Sequence, residues 1–477
     1  MYSKLLRISQ PSNAFLLSAA ILSCVYLYQL ASSPEFYAPP KAVGDGLEYE
    51  NLGFHLWKKG EFRVNNKDPE WLQPYEVQPE EYALHLEAQR RDMLSTGRPP
   101  LFPVVIATFY SVFGRTEIAF AAVRVFSGLC LAMGGSLAVL LLAQFLSFLS
   151  SRSTERANQD YDSLPAAFAL VGCIGILASN RTLLSYAEDF LTEPLSLLLM
   201  QMVVFVFCLS ANFQVRETLS RKAATRRIVL ALIAGLLFGS LVLARSIFVV
   251  WIPGMALILA VSQRGSWLGR LASASTFMIA TLLICTGWWV RNTHVLERPM
   301  PLGTQGPITL LGAYSDEGWA NGGEWAYEPE QRLRKQLRTI QEWAISDRQF
   351  EVLLSEQASL RVRRWVLGNP DKVMRMAWPK IRTHWNPYHG RSLIWKVLML
   401  LGAVTLLVHI RWVWPQATVL LGLPILSTLV VVALYTVGGR FLVPLYGVLS
   451  IVSGIGIYGL LRGMSPVFRR FLFQATR

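Results

Sequence analysis

The sequence predicts an all-α polytopic membrane protein with about ten transmembrane helices and further helices lying at the outer membrane face. Three observations carry that prediction. Apolar runs of roughly 18 residues or more recur along the whole chain, each long enough to cross a bilayer core, and in lipid such runs must be helical because every backbone polar group needs an internal partner. Hydrophobic residues make up 53% of the chain and charged residues only 16%, against about 25% charged in ordinary soluble domains. Lys and Arg are also unevenly shared between the connections, which assigns a side to each.

The expected spans are 14–31, 118–149, 165–184, 191–211, 228–244, 246–263, 271–290, 392–410, 415–436 and 441–461. The first is read as a retained anchor: no cleavage pattern follows it, and Pro34 and Glu35 come next. The stretch 229–261 is apolar except for Arg245. As one helix it would reach about 50 Å, so it is expected to be two spans with a tight turn at Ala244-Arg245-Ser246. The run from Pro100 to Gly114 is too short to span and opens on prolines, so it is expected to be interfacial or re-entrant.

Charge supports this count. With Lys4 and Arg7 inside, the inner connections hold Arg152 and Arg156, then Arg216, Arg221, Lys222, Arg226 and Arg227, then Arg264 and Arg270, with Arg462, Arg469, Arg470 and Arg477 in the tail. The short outer turns at 185–190, 244–246 and 437–440 hold at most one basic residue each. Letting 100–114 cross would place the most basic loop outside. The same distribution accounts for the net charge of +14, so nucleic acid is not an expected partner; membrane lipid is. Cys24, Cys130, Cys173, Cys208 and Cys285 all lie in apolar runs, with no C-x-x-C and no disulfide framework.

Three regions follow. Residues 1–291 form an N-terminal membrane region with a long first outer loop (32–117) and a short acidic second one (185–190). Residues 292–391 form an outer loop. Residues 392–477 hold the last spans and a basic tail. In the long loop Leu333, Leu337, Ile340 and Ala344 recur at helical spacing, as do Phe350, Leu353 and Leu354. They read as amphipathic helices on the membrane or against the bundle, without an independent core.

The chemistry gathers at the outer face. Asp45 sits between two glycines at the start of a helix, with Glu48 one turn on; it suits an N-cap as well as a catalytic carboxylate. Glu188, Asp189 and Glu193 put three carboxylates beside hydrocarbon, where acidic groups are costly and tend to be functional. Converging carboxylates suit a general base, a bound divalent cation or both. Arg98, Arg245, Arg291 and Arg440 lie at the same level. Each alone suits snorkelling, but together they suit phosphate, whose oxygens the guanidinium fork binds in pairs. His384 and His389 have no zinc-like spacing, and no metal site is expected there.

In order and placement these motifs resemble those of the GT-C membrane glycosyltransferases, nearest the branch of protein O-mannosyltransferases and lipid A aminoarabinose transferases. The resemblance rests on Asp45 to Tyr49 with Lys59-Gly60-Glu61-Phe62, Arg98-Pro99-Pro100-Leu101-Phe102-Pro103, Phe113-Gly114 and Ala122-Val123-Arg124. It continues through Leu191-Thr192-Glu193-Pro194-Leu195, Trp289-Val290-Arg291-Asn292, Gly368-Asn369-Pro370, His384-Trp385-Asn386-Pro387 and Gly439-Arg440-Phe441-Leu442-Val443-Pro444.

The resemblance implies an inverting transfer of one sugar from a polyprenyl-phosphate donor to a hydroxyl acceptor, a glycan, lipid or protein, on the outer membrane face; with no eukaryotic retention signal visible at the C-terminus, a bacterial inner membrane is the expected location. It implies Asp45 as general base, Glu193 as the second acidic residue of the acceptor site, and Arg98 on the lipid phosphate with help from Arg245, Arg291 or Arg440. A metal is not obligatory. One departure stands out: many relatives carry a second acidic residue directly after the catalytic Asp, and here that place is Gly46, which leaves Glu48 as a substitute. A carrier or flippase for lipid-linked sugars is the competing class, although no run has an acidic residue at its centre; a glycan polymerase or ligase is another, and a non-catalytic scaffold a third.

The charge pattern predicts that Ser151→Cys and Ser220→Cys variants, treated with an impermeant maleimide outside intact cells, stay unlabelled. Labelling of either overturns the ten-span arrangement.

Overall fold

The computed structural model describes residues 10–41, 44–75, 91–151, 159–211, 221–341, 345–386 and 393–463, most of them helical. The N-terminal helices of five residues or more are α1 Pro11–Ala31, α2 Asp45–Lys59, α3 Leu101–Phe113, α4 Glu117–Ser151, α5 Gln159–Ala178, α6 Arg181–Glu188, α7 Glu193–Ser210, α8 Arg221–Ala244, α9 Ile252–Ser262 and α10 Trp267–Leu296. The rest of the chain adds α11 Gln305–Ala313, α12 Asp316–Ala320, α13 Glu328–Gln341, α14 Asp347–Gly368, α15 Pro370–Arg375, α16 Ala377–Trp385, α17 Leu393–Val408, α18 Ile410–Ala433 and α19 Tyr446–Gly463. One two-stranded antiparallel ribbon, β1 Arg63–Asn65 with β2 Asp92–Leu94, sets Val64 opposite Met93.

Among the described residues seven helices are long and apolar enough to cross a membrane: α1, most of α4, α7, most of α8, α10, α18 and the run Arg440–Gly463. Leu164–Ala178 and α6, bent by 42°, make an eighth if they count as one span. The other two expected spans are helical and apolar but shorter, at Ser246–Ser262 and Leu393–Val408. The chain is thus an integral, multi-pass membrane protein. Helices in lipid approach closely where side chains are small. A Cβ at Gly402 of α17 would lie 1.8 Å from the Val452 carbonyl oxygen, and one at Gly456 of α19 would lie 2.0 Å from that of Leu398, so those two helices meet backbone to backbone.

Three details depart from the sequence expectation. Residues 185–188 are not a turn but the last turn of α6, so the acidic connection shrinks to residues 189–192. The helices of the long connection do not rely only on the bundle: Ile308, Leu311, Leu333, Leu337, Leu354 and Ala358 form a small apolar core of their own. The expected turn at Arg245 is present, but it opens into a 3-10 segment, Ser246–Trp251, before α9 begins. Lys4, Arg7, Arg152, Arg156, Arg216, Ala344, His389 and the basic tail residues Arg469, Arg470 and Arg477 lie outside the described residues.

The first long connection is fastened by a buried carboxylate that the sequence does not announce. Glu50 of α2 is fully buried. Its Oε2 accepts from Trp71 Nε1 at 2.5 Å and Tyr75 Oη at 3.1 Å. Its Oε1 accepts from Tyr110 Oη at 2.7 Å and Arg115 Nε at 2.8 Å. Arg115 in turn donates to the Trp71 carbonyl at 2.8 Å, closing the cluster. A buried ion pair is worth little over a well-packed apolar pair, but removing one partner leaves the other charged and unpaired. Glu50→Ala is therefore expected to cost about 3–5 kcal/mol, measured as a lowered unfolding midpoint in detergent; a midpoint near that of the unmodified protein would show that the cluster does not hold the connection.

Candidate active site

Five segments distant in sequence bring their charges to one end of the bundle. Each charge sits where an element starts or stops. Asp45 is the first residue of α2, preceded by Gly44 at φ 86°, a value natural to glycine. The helix is not capped by Asp45; the carboxylate instead lies in the positive field of the helix N-terminus. Arg98 follows β2 and precedes α3 through Pro99 and Pro100. Glu193 is the first residue of α7. Arg245 is the extended residue between α8 and the 3-10 segment. Arg440 opens a second 3-10 segment, Arg440–Leu445, after Gly439 in the left-handed region at φ 78°.

The contacts form an alternating chain. Arg98 donates from Nη2 to Asp45 Oδ1 at 2.7 Å and from Nε to Glu48 Oε2 at 2.9 Å. Arg440 donates from Nη1 to Asp45 Oδ2 at 2.8 Å and from Nε to Glu193 Oε1. Arg245 pairs with the same Glu193 oxygen at 2.8 Å. Glu193 is fully buried, and among the described residues its Oε2 has no hydrogen-bond partner. Burial alone would raise the pKa of Asp45, but the Arg98 and Arg440 charges outweigh it and hold the carboxyl well below the usual range. Glu48 is lowered in the same way, burial opposing and Arg98 and Arg91 prevailing.

Asp45, Glu48, Arg98, Arg245 and Arg440 line a cavity of about 1310 Å³. Ile247, Val249 and Val250 give it an apolar side; Gln305, Trp325, Tyr327, Arg334 and Arg338 give it a polar one. The segment carrying Arg440 is braced from behind. Buried Lys380 donates from Nζ to the Val432 and Leu434 carbonyls at 3.2 and 3.0 Å, capping the C-terminal end of α18, and to Tyr314 Oη at 3.1 Å. Burial pulls the Lys380 pKa down to about 8. The Trp325 amide reaches the Thr436 carbonyl of the same segment at 3.1 Å.

The sequence-predicted residues divide in two. Asp45, Glu48, Glu193, Arg98, Arg245 and Arg440 come together. Asp45 and Glu193, expected to face each other across an open acceptor site, share the Arg440 guanidinium instead. Arg291 does not join them and is not among the cavity-lining residues: its guanidinium donates to the Ser95 and Phe62 carbonyls at 2.5 and 3.1 Å and stacks over Trp288, clamping the base of the ribbon. Glu188 and Asp189 stand apart as well. Asp189 pairs with Lys41 at 3.4 Å, and the Glu188 carbonyl accepts from Arg124 at 3.0 Å.

Arg124 has a role the sequence reading missed. Buried in α4, it also donates to the Phe36 and Ala38 carbonyls at 3.1 and 2.7 Å, and so ties the connection after α1 to the end of α6. Gly46, where the family resemblance leads one to expect an acidic residue, is explained by packing: a Cβ there would lie 2.1 Å from the Asp189 carbonyl oxygen. A divalent cation finds no ready cage. The carboxylates of Asp45, Glu48 and Glu193 face guanidinium groups, and among the described residues no three His, Cys, Asp or Glu side chains are placed to share an ion.

No family model and no curated protein matches the chain. Solved structures do. The archaeal oligosaccharyltransferase AglB from Archaeoglobus fulgidus, in complex with an inhibitory peptide and a dolichol-phosphate, is 14% identical with a TM-score of 0.50, over 98% of this chain and 51% of that one. This chain thus spans about half the length of the oligosaccharyltransferase it matches. ArnT from Cupriavidus metallidurans bound to undecaprenyl phosphate is 14% identical over 93% of this chain and 77% of that one, with a TM-score of 0.37, too loose a superposition to argue from. A likeness at this identity speaks for architecture alone: this chain shares the fold of the half of the archaeal oligosaccharyltransferase that it matches.

Proposed function

We propose that this protein is an inverting glycosyltransferase that moves a single sugar from a polyprenyl-phosphate carrier to a hydroxyl-bearing acceptor at the non-cytoplasmic face of a bacterial inner membrane. One observation carries the proposal: Asp45 lies between Arg98 and Arg440 on the wall of a cavity that is apolar on one side and polar on the other. The apolar side suits a prenyl chain, the arginines suit its phosphate, and the polar side suits sugar and acceptor. The solved neighbour bound to a dolichol-phosphate supports the reading at the level of fold.

The step balances without a resident cation. The acceptor hydroxyl attacks the anomeric carbon and forms the new C–O bond, while Asp45 takes the hydroxyl proton. The bond from the anomeric carbon to the phosphate oxygen breaks, and its electron pair leaves with the phosphate monoester. Attack and departure on opposite faces invert the centre. Arg98, Arg440 and Arg245 neutralise the charge that grows on the leaving phosphate, as fixed donors do best in a site closed to water. Glu193 is the anchor that holds Arg440 and Arg245 in place, and Glu48 holds Arg98.

Asp45→Asn keeps the side chain's size and removes the base. Transfer from a polyprenyl-phosphate sugar is expected to fall about 10²–10⁴-fold in protein that folds and inserts normally; near-normal transfer would overturn the mechanism. Arg98→Ala is expected to raise the donor KM more than the acceptor KM in initial-rate kinetics, and a change confined to the acceptor would remove Arg98 from the phosphate site.

A further inference from the structure

The arginines that suit a phosphate are already holding carboxylates, and they do so in two distinct ways. Arg98 uses Nε for Glu48 and Nη2 for Asp45. Arg440 uses Nε for Glu193 and Nη1 for Asp45. Each guanidinium thus has one carboxylate at its root and shares Asp45 at its tip. Glu193 is buried at the start of a spanning helix. Glu48 is held from a second side by Arg91 at 3.2 Å. Asp45 has neither restraint. Among the described residues its two oxygens bond to the tips of Arg98 and Arg440, and both arginines line the cavity with it.

Resting on the glycosyltransferase reading, we infer that Asp45 occupies the phosphate's place on Arg98 and Arg440 until the donor arrives, and that the donor phosphate displaces it and so frees the base. The donor's phosphodiester brings one charge and two terminal oxygens, the same complement as the carboxylate it replaces, and the prenyl chain laid along Ile247, Val249 and Val250 tips the exchange in its favour. Glu48 and Glu193 stay on the Nε atoms, so the guanidinium planes keep their aim while the partner at the tip is exchanged. The displaced carboxylate loses the two cations that suppress its basicity and becomes able to accept a proton. The consequence is order: donor binds before acceptor, and an acceptor alone meets a base that is held out of action. The exchange needs only a change of the Asp45 side chain. The backbone beside it is fixed, because Gly46 packs directly on the Asp189 carbonyl.

Methyl farnesyl phosphate, a short prenyl phosphodiester with the donor's single charge, is a suitable probe, titrated calorimetrically into the detergent-solubilised full chain. Asp45→Asn removes the internal competitor and is expected to bind the probe about tenfold tighter than the unmodified protein, equivalent to about 1.4 kcal/mol. Unchanged or weaker binding overturns the inference, and so does an equal tightening in Glu48→Gln, which would reduce the effect to bulk charge. Loss of transfer in Asp45→Asn without tighter probe binding leaves the catalytic reading standing and removes this one. Retained transfer removes the catalytic reading itself. Should the variant fail to unfold cooperatively, infrared difference spectra of the unmodified protein labelled with ¹³C-aspartate decide the matter: a carboxylate band that shifts when the probe is added supports displacement, and an unshifted one overturns it.

Discussion

Alternation of charge at one end of the bundle is what the site depends on. Starting from Arg245, partners run through Glu193, Arg440, Asp45, Arg98 and Glu48 to Arg91, which reaches Glu351 at 3.7 Å; Arg334 then joins Glu351 to Glu330, both at 2.8 Å. The run begins between two spanning helices and ends on α13 and α14 of the long connection. An isolated ion of this kind beside hydrocarbon would be prohibitively costly, and a single pair would barely offset its own desolvation. A continuous run gives every member opposite neighbours, so the charges are tolerable only as a set. That requirement fixes the places of seven chain segments at once.

Much of this arrangement was legible in the sequence. Apolar run length located the helices, because it follows from the solvent and not from particular neighbours. Asp45, Glu193, Arg98, Arg245 and Arg440 were visible because a charge at the end of an apolar run needs a reason. The same signal misled at Arg291. An arginine at a helix end looks alike whether it meets a phosphate or a pair of backbone carbonyls, and only the ribbon folded over it tells the two apart. Glu188 and Asp189 were over-read for a related reason: closeness along the chain to Glu193 is not closeness to its partners, since α6 ends and the chain turns between them.

Glu50 and Arg124 were unread because their partners come from far along the chain. Glu50 collects donors from residues 71, 75, 110 and 115, and Arg124 collects carbonyls from 36, 38 and 188. A trace of the first was present. On α2, Asp45 and Glu48 are three apart and share a face, whereas Glu50 lies four after Gly46 and three before Gly53, on the side that packs inward. A charged residue aligned with glycines on a helix face is a signal of burial with partners.

The contact between Gly46 and the Asp189 carbonyl also limits how this site can change over evolutionary time. The family resemblance leads one to expect a second acidic residue directly after Asp45, the kind of neighbouring carboxylates that hard cations favour. Here any side chain at that position would push against backbone and not against another movable side chain. The route to such a pair is therefore closed to a single codon change. It opens only if the segment from Asp189 to Thr192 is first rebuilt, and that segment leads directly into Glu193 and so into the placement of Arg440 and Arg245. The alternating arginine arrangement and the glycine beside Asp45 are thus coupled through one stretch of backbone, so that a change at either is felt at the other.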